Sequence, residues 1–332
     1  MSLQSDLGSF PCSLATRKSD EDIIASTGNI RAQLSIELPE PWEGIPAKSS
    51  FYPVGLNEAT NAFLKLKIGI GINFFAPDPS HSKPDYTRVF LFKKSSDTLA
   101  PFEKHEYLFH NSVLNSSLLI MAQSFDNLSG APLEGKVESA FENEIFVCGH
   151  ESRDACCGKL GMPVFRKLKE LTEQSADQKY RVWKTSHIGG HKYAPTLFEA
   201  PSMRWWGLLT EDLCESFLNR EKGQFSLGKQ YRGWAALDNP FAQVAEREIL
   251  NKVGWSWLKA HNVICDTEIH SSLTKADVKF HFSNANAENK FNTFSACVEF
   301  SRTLSSIASC NATSEKTVKQ YFVSDSTFAH QK

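Results

Sequence analysis

Long apolar runs are missing from this chain. The most apolar stretch, Ala62 to Ala76, is interrupted by Lys65 and Lys67 and falls short of the roughly 20 residues that cross a bilayer. An excess of charge of one sign is missing too. Thirty-six basic and 38 acidic residues leave a formal net charge of −2, so neither nucleic acid nor a membrane surface is an expected partner. The opening residues, Met1-Ser-Leu-Gln-Ser-Asp, lack the basic stretch and apolar core of a secretory signal. No Gly-x-Gly-x-x-Gly follows a strand pattern, which argues against a nicotinamide or flavin site within the chain. No Cys-x-x-Cys occurs, so the usual spacing of a dithiol oxidoreductase is absent. The eight cysteines are scattered except around residues 148–157, a pattern that suits reduced thiols in the cytoplasm better than a disulfide scaffold.

What the sequence does contain is a concentrated stretch from Cys148 to His191. It opens Cys148-Gly-His150-Glu-Ser-Arg153-Asp154-Ala-Cys156-Cys157-Gly158 and closes His187-Ile-Gly189-Gly190-His191. Two thiols and two imidazoles arrive as two close pairs, an arrangement suited to a metal centre. Gly189 and Gly190 are poor helix-interior residues. The histidines therefore form a loop pair, unlike the helical H-x3-H of a zinc protease, and the glycines let the backbone approach an inorganic core.

The spacing C-x8-C…H-x-G-G-H resembles the signature of the sucrase/ferredoxin-like family of thioredoxin-like [2Fe–2S] ferredoxins. The similarity runs through Arg153-Asp154, Val182-Trp183 and His187 to Pro195, and ends at Tyr231-Arg232-Gly233. It is specific over residues 144–235 and general elsewhere. The resemblance implies a [2Fe–2S] cofactor, with Cys148 and Cys157 on one iron and His187 and His191 on the other, reducible iron. Glycine directly after the second cysteine selects Cys157 over Cys156, which is left as a packed thiol. Thiolate suits the soft iron of such clusters, and imidazole is its nitrogen substitute. Two ferric ions and two sulfides sum to about +2, so four thiolates leave about −2 and two thiolates with two neutral imidazoles leave about zero, which raises the potential. Proton-coupled electron transfer at the second imidazole nitrogen is the expected consequence.

A chain of 332 residues with 41% apolar content predicts two or three globular units. Ile30 to Leu38 alternates as a half-buried strand, Leu56 to Leu66 has helical spacing, and Ile68 to Phe74 alternates again. Thr87–Phe92 and Glu106–Phe109 read as strands, and Leu114–Phe125 as helix or strand. That order suggests a cluster-less α/β domain of thioredoxin-like layout over 1–135, closed by the Ser/Gly/Pro-rich stretch Asn127 to Gly135. The thioredoxin-like ferredoxin domain follows over 136–228. In it, Ile145–Val147 runs into Cys148, a helix begins at Gly161-Met-Pro163, and Arg181–Lys184 delivers His187. A hairpin turns at Pro201-Ser202, and Thr210 caps a last helix. Residues 229–332 predict a small α+β tail: one long helix from Phe241 to Trp257 and two antiparallel strands around a loop from Ser283 to Lys290. The overall expectation is an α/β fold.

His150 and Arg153-Asp154 read as loop-holding polar residues, and Lys159, Lys184 and Lys192 as solvated surface or a docking patch for an acidic redox partner. Trp183, Trp205 and Trp206 read as sheet-core aromatics. No spacing among the remaining cysteines suggests a second metal site. The expected function is a soluble electron carrier or redox-responsive protein that exchanges electrons with a partner protein or a diffusible mediator. A structural zinc protein using the same four residues is the alternative, and a thioredoxin-type thiol enzyme at Cys156-Cys157 or Cys148 ranks below it. No stretch supplies the paired carboxylates that sucrose hydrolysis needs.

Overall fold

The computed structural model describes residues 12–94, 99–175, 179–220, 224–283, 291–310, 312 and 314–330. After a short helix α1 (Cys12–Lys18), the chain lays down β1 (Ala32–Glu37), α2 (Leu56–Leu64), β2 (Ile70–Phe75), β3 (Tyr86–Lys93), β4 (Glu103–His110) and α3 (Leu114–Gln123). It then forms β5 (Lys136–Val137), β6 (Asn143–Cys148), α4 (Ala155–Gln174), β7 (Tyr180–Thr185), β8 (Leu197–Ala200), β9 (Arg204–Trp206) and α5 (Cys214–Leu218). The remainder is β10 (Tyr231–Trp234), α6 (Pro240–Val253) and the strands β11 (His261–Ile269), β12 (Lys275–Ser283), β13 (Phe291–Ile307) and β14 (Glu315–His330).

The strands up to β10 make one sheet in the order β10-β9-β8-β6-β7-β2-β1-β3-β4-β5. Within it, β6 is parallel to β7 and antiparallel to β8, which pairs with β9. The first half repeats this pattern: β1 is parallel to β2 and antiparallel to β3, which pairs with β4. Both halves thus carry the 2-1-3-4 order of a thioredoxin-like layer. They join where β2 meets β7, with Phe75 opposite Thr185 and Ala76 N–H donating to the Lys184 carbonyl at 2.9 Å.

Strand β1 is buried along its whole length, whereas its alternation predicts one wet face. Leu34 and Ile36 enter the core under α2 and α3. On the other face Gln33 and Ser35 donate to Asn73 Oδ1, at 2.8 and 2.6 Å, and Asn73 Nδ2 reaches Thr185 Oγ1 at 2.6 Å. The polar half of the pattern is therefore satisfied inside the protein, as a buried network must be. Below the same sheet, Arg181 bonds both Glu106 and Glu144 and links the two halves through buried charge.

Several element boundaries differ from the sequence reading. Leu114 opens a helix. Helix α4 starts at Ala155, ahead of Gly161, because the Asp154 side chain accepts the Cys156 N–H at 2.9 Å and caps it. Thr210 makes no side-chain cap; a 3-10 turn and five residues of helix follow. Residues 240–257 divide into α6 and a 3-10 turn at Gly254. The tail sheet has four strands, β11-β12-β13-β14, and packs on α6 within a core that is continuous with the second half of the large sheet. Residues 284–290 of the expected loop lie outside the described residues. Among the described residues, no helix is long and apolar enough to cross a membrane.

Candidate metal centre

Strand β6 lies between β7 and β8, so its last residue, Cys148, is fully buried, and its N–H donates to the Thr196 carbonyl at 2.9 Å. Cys157 sits in the first turn of α4, next to that strand end. The helix can come this close because Gly161 has no side chain: a Cβ there would stand 2.0 Å from the Cys148 carbonyl oxygen. β7 delivers His187 from the parallel neighbouring strand. The ligand atoms of Cys148, Cys157 and His187 all lie within 4.8 Å of one another, with Cys157 Sγ 3.9 Å from His187 Nδ1. His191 stacks on His187, ring centroids 4.4 Å apart. Its buried Nδ1 has no hydrogen-bond partner among the described residues and lies 3.9 Å from Asp154 Oδ2. The four residues predicted from sequence meet in one place, three as a tight donor group and His191 against the third.

This donor set fits a thiophilic cation. The Cys148 thiol is pushed down chiefly by a hydrogen bond from Cys157, against burial. Cys157 is pushed up by the same interaction and by burial. The hydrogen bond between the two buried sulfurs and the positive end of α4 both favour the thiolate form at Cys148. Burial and the adjacent His187 hold His191 below the usual histidine value, which favours the neutral imidazole that binds metals.

Two residues hold the histidine loop. His150, 1% exposed, accepts the His187 N–H at its Nδ1 at 3.0 Å and donates from Nε2 to the Glu43 carbonyl at 2.9 Å. Arg232, from Tyr231-Arg232-Gly233, donates to the Gly189 carbonyl at 3.3 Å and to Ser26 Oγ and the Ser26 carbonyl at 3.0 and 2.9 Å. Burial lowers its guanidinium to about 10. The sequence offered no role for this arginine; the structure makes it a clamp between the N-terminal segment and the glycine pair.

The three lysines named from sequence differ in setting: Lys192 is buried against Glu21, Lys184 is half-buried and pairs with Glu40 at the surface, and Lys159 is exposed. Trp183 and Trp206 are buried, with their N–H groups on Glu144 and Glu199 at 2.6 and 2.8 Å, as core aromatics should be. The structure also gathers cysteines that no sequence spacing connects. Cys12, Cys156 and Cys310, with Asp154, place their donor atoms within 4.8 Å of one another. Sequence separations of 144 and 154 residues hid that meeting.

A family profile described as Sucrase/ferredoxin-like matches residues 24–233. Altered inheritance of mitochondria protein 32 of Meyerozyma guilliermondii is 26% identical over 107 residues, 31% of this chain and 38% of that protein. The protein of the same name from Debaryomyces hansenii is 33% identical over 81 residues, 23% of this chain and 29% of that one. The matched segments thus span well under half of those relatives. A thioredoxin-like [2Fe–2S] ferredoxin structure from Aquifex aeolicus aligns with 25% of this chain and 81% of its own, at 17% identity and a TM-score of 0.22.

Proposed function

This chain belongs to the sucrase/ferredoxin-like family, and on that premise we propose that it is a [2Fe–2S] protein carrying single electrons in the cytoplasm. Cys148 and Cys157 would hold one iron, and His187 and His191 the other. The observation that supports this reading most directly is the convergence of Cys148, Cys157 and His187 donor atoms within 4.8 Å, with His191 stacked alongside. A bound cluster of this kind supplies one-electron chemistry.

The chain's own residues set the conditions for that chemistry. Cys148, at the end of β6, and Cys157, in the first turn of α4, are fully buried, while the His191 side chain is 19% exposed, so the histidine side faces the exchange partner. That partner is a redox protein or a diffusible mediator, and no sucrase activity is proposed. A ligating imidazole keeps a second ring nitrogen, whose proton can leave on oxidation and return on reduction. His150 and Arg232 fix the loop that carries both rings, so ring orientation is set before any ligand arrives.

The test is optical. Anaerobically purified protein should be red-brown, contain two irons and two acid-labile sulfides per chain, and bleach with dithionite. His187→Ala/His191→Ala should lose the cluster. A colourless wild-type chain whose bound zinc is lost in Cys148→Ser/Cys157→Ser would instead establish the tetrahedral zinc alternative at these residues.

A further inference from the structure

We propose that Cys12, Cys156 and Cys310, with Asp154, form a second metal site that holds one zinc ion and ties the two ends of the chain to the start of α4. Its residues are disjoint from the four proposed cluster ligands. The three sulfurs come from α1, from α4 and from the connection after β13, and stand 3.5, 3.0 and 3.5 Å apart. Cys12, Cys156 and Asp154 are 1%, 1% and 2% exposed, while Cys310 is only partly buried. The site is therefore enclosed on its inner side and reachable through Cys310. Ala194, Leu160 and Ile307 surround it with apolar contacts.

Zinc explains this arrangement better than the two bland accounts of a thiol cluster. Thiolates on tetrahedral zinc, each about 2.3 Å from the metal, stand about 3.8 Å apart. Two of the sulfur pairs need open by only about 0.3 Å, and the third by about 0.8 Å. A disulfide would require one pair to close to about 2.05 Å and would leave the third thiol unpaired. Packing alone does not account for Asp154, which does more than cap α4. Its Oδ1 accepts the Cys156 N–H at 2.9 Å and its Oδ2 the Cys310 N–H at 3.0 Å, which fixes two ligand-bearing backbones around one carboxylate. Each oxygen keeps a free lone pair, so the carboxylate is placed to be the fourth donor. Three thiolates and a carboxylate form a closed coordination set, the mark of a structural site.

The position gives the site a purpose. Cys156 and Cys157 are consecutive, and Asp154 lies between the three-cysteine group and His191. An ion here would hold the first turn of α4, from which Cys157 faces the other centre. It would also close two very long loops at once, where a cross-link restricts the unfolded chain most.

The full chain, expressed with zinc available and dialysed against a weak chelator, tests the proposal by elemental mass spectrometry and zinc X-ray absorption. About one zinc per chain is expected in the wild type and in Cys148→Ser/Cys157→Ser, with a shell of three sulfurs and one oxygen at the usual zinc distances. Cys12→Ser/Cys310→Ser should lose that zinc and keep its iron. The wild-type absorption spectrum stands as a direct reading even if a variant does not fold. A wild-type chain without bound zinc, a nitrogen-containing zinc shell, or a Cys156–Cys310 disulfide in the non-reduced peptide map would each overturn the proposal. Loss of the iron cluster alone would leave it intact, because Cys148→Ser/Cys157→Ser separates the two sites.

Discussion

The backbone N–H of His187 donates to Nδ1 of His150 at 3.0 Å, so one buried histidine sets the position of another that faces the metal centre. His150 is fixed from behind by the Glu43 carbonyl and by an edge contact with Trp42, ring centroids 5.6 Å apart. Its tautomer follows: the proton sits on Nε2, and Nδ1 is the acceptor.

Replacing His150 with phenylalanine should strip the His187 N–H of its partner inside the protein. Leaving such a donor unsatisfied costs about 1–3 kcal/mol, and the histidine loop should loosen. Asparagine, whose side-chain oxygen can stand in for Nδ1, should retain most of the effect. The measurement is the rate at which a chelator bleaches the visible absorption: faster in His150→Phe, near wild type in His150→Asn. Equal rates in all three proteins would leave His150 without a positioning role.

Gly189 and Gly190 both have positive φ, +93° and +75°, but their surroundings differ. A Cβ at Gly189 meets nothing within 4 Å, whereas at Gly190 it would stand 2.8 Å from the Arg232 guanidinium. Left-handed backbone costs an alanine about 1–2 kcal/mol in either position. Gly190→Ala should additionally displace the arginine that holds the Gly189 carbonyl. The two variants are compared by thermal melting and by cluster occupancy, with Gly190→Ala expected to be the worse in both.

The same comparison shows what the sequence could and could not reveal. The ligand pairs were legible because each lies within ten residues and glycine marks the loop. Arg232 was not, since its partners, Ser26 and Gly189, lie 206 and 43 residues away. Gln33, Ser35 and Glu37 read as a solvent-facing row, yet all three are buried: Asn73 on β2, itself held by Thr185 on β7, accepts from Gln33 and Ser35, and Glu37 accepts from Ser82 and the Arg88 N–H. Strand β14 escaped notice for the opposite reason: its apolar residues Tyr321, Val323 and Phe328 only flank the core, so no strong alternation marks it. The three-cysteine group was the least legible, as no local spacing encodes a meeting of residues 12, 156 and 310.

Arg181 bonds both Glu106 and Glu144, reaching them at 2.7 and 2.5 Å, and all three side chains are buried; Lys104 stands 2.6 Å from Glu144 and 4.0 Å from Glu106. Burial pushes the Glu106 carboxyl up, but the hydrogen bonds and charge of Arg181 and the charge of Arg88 outweigh it and leave the group below its ordinary value. The sign is then fixed. Glu106 contributes stability above the ordinary glutamate value of about 4.3, and the contribution is lost as pH falls through the lower folded value. Acid titration of the melting temperature should show this limb in the wild type and a shallower one in Glu106→Gln. Arg181→Met leaves Glu106 to Arg88 and Glu144 to Lys104, so it should destabilise the protein at neutral pH by less than the about 3–5 kcal/mol of a fully stranded buried charge.

The last prediction concerns the imidazoles themselves. His191 Nδ1 is buried, without a hydrogen-bond partner among the described residues, and 3.9 Å from a carboxylate oxygen of Asp154. With both histidines as ligands, oxidation raises the charge on the metal and favours loss of a proton from the ring nitrogen that does not bind it. Reduction then takes up that proton, so the midpoint potential should fall as pH rises. The limiting slope for one proton per electron is about 59 mV per pH unit, reached above the value at which the oxidised form deprotonates. His187→Cys/His191→Cys replaces two neutral ligands with two anionic ones. Its potential should lie lower and should lose this dependence, since no titrating ring remains on the metal. Equilibrium redox titrations from about pH 6 to about pH 10 bracket the range in which an imidazole of raised acidity would titrate. A wild-type potential that stays flat over that range would exclude histidine ligation, however closely the two rings stack.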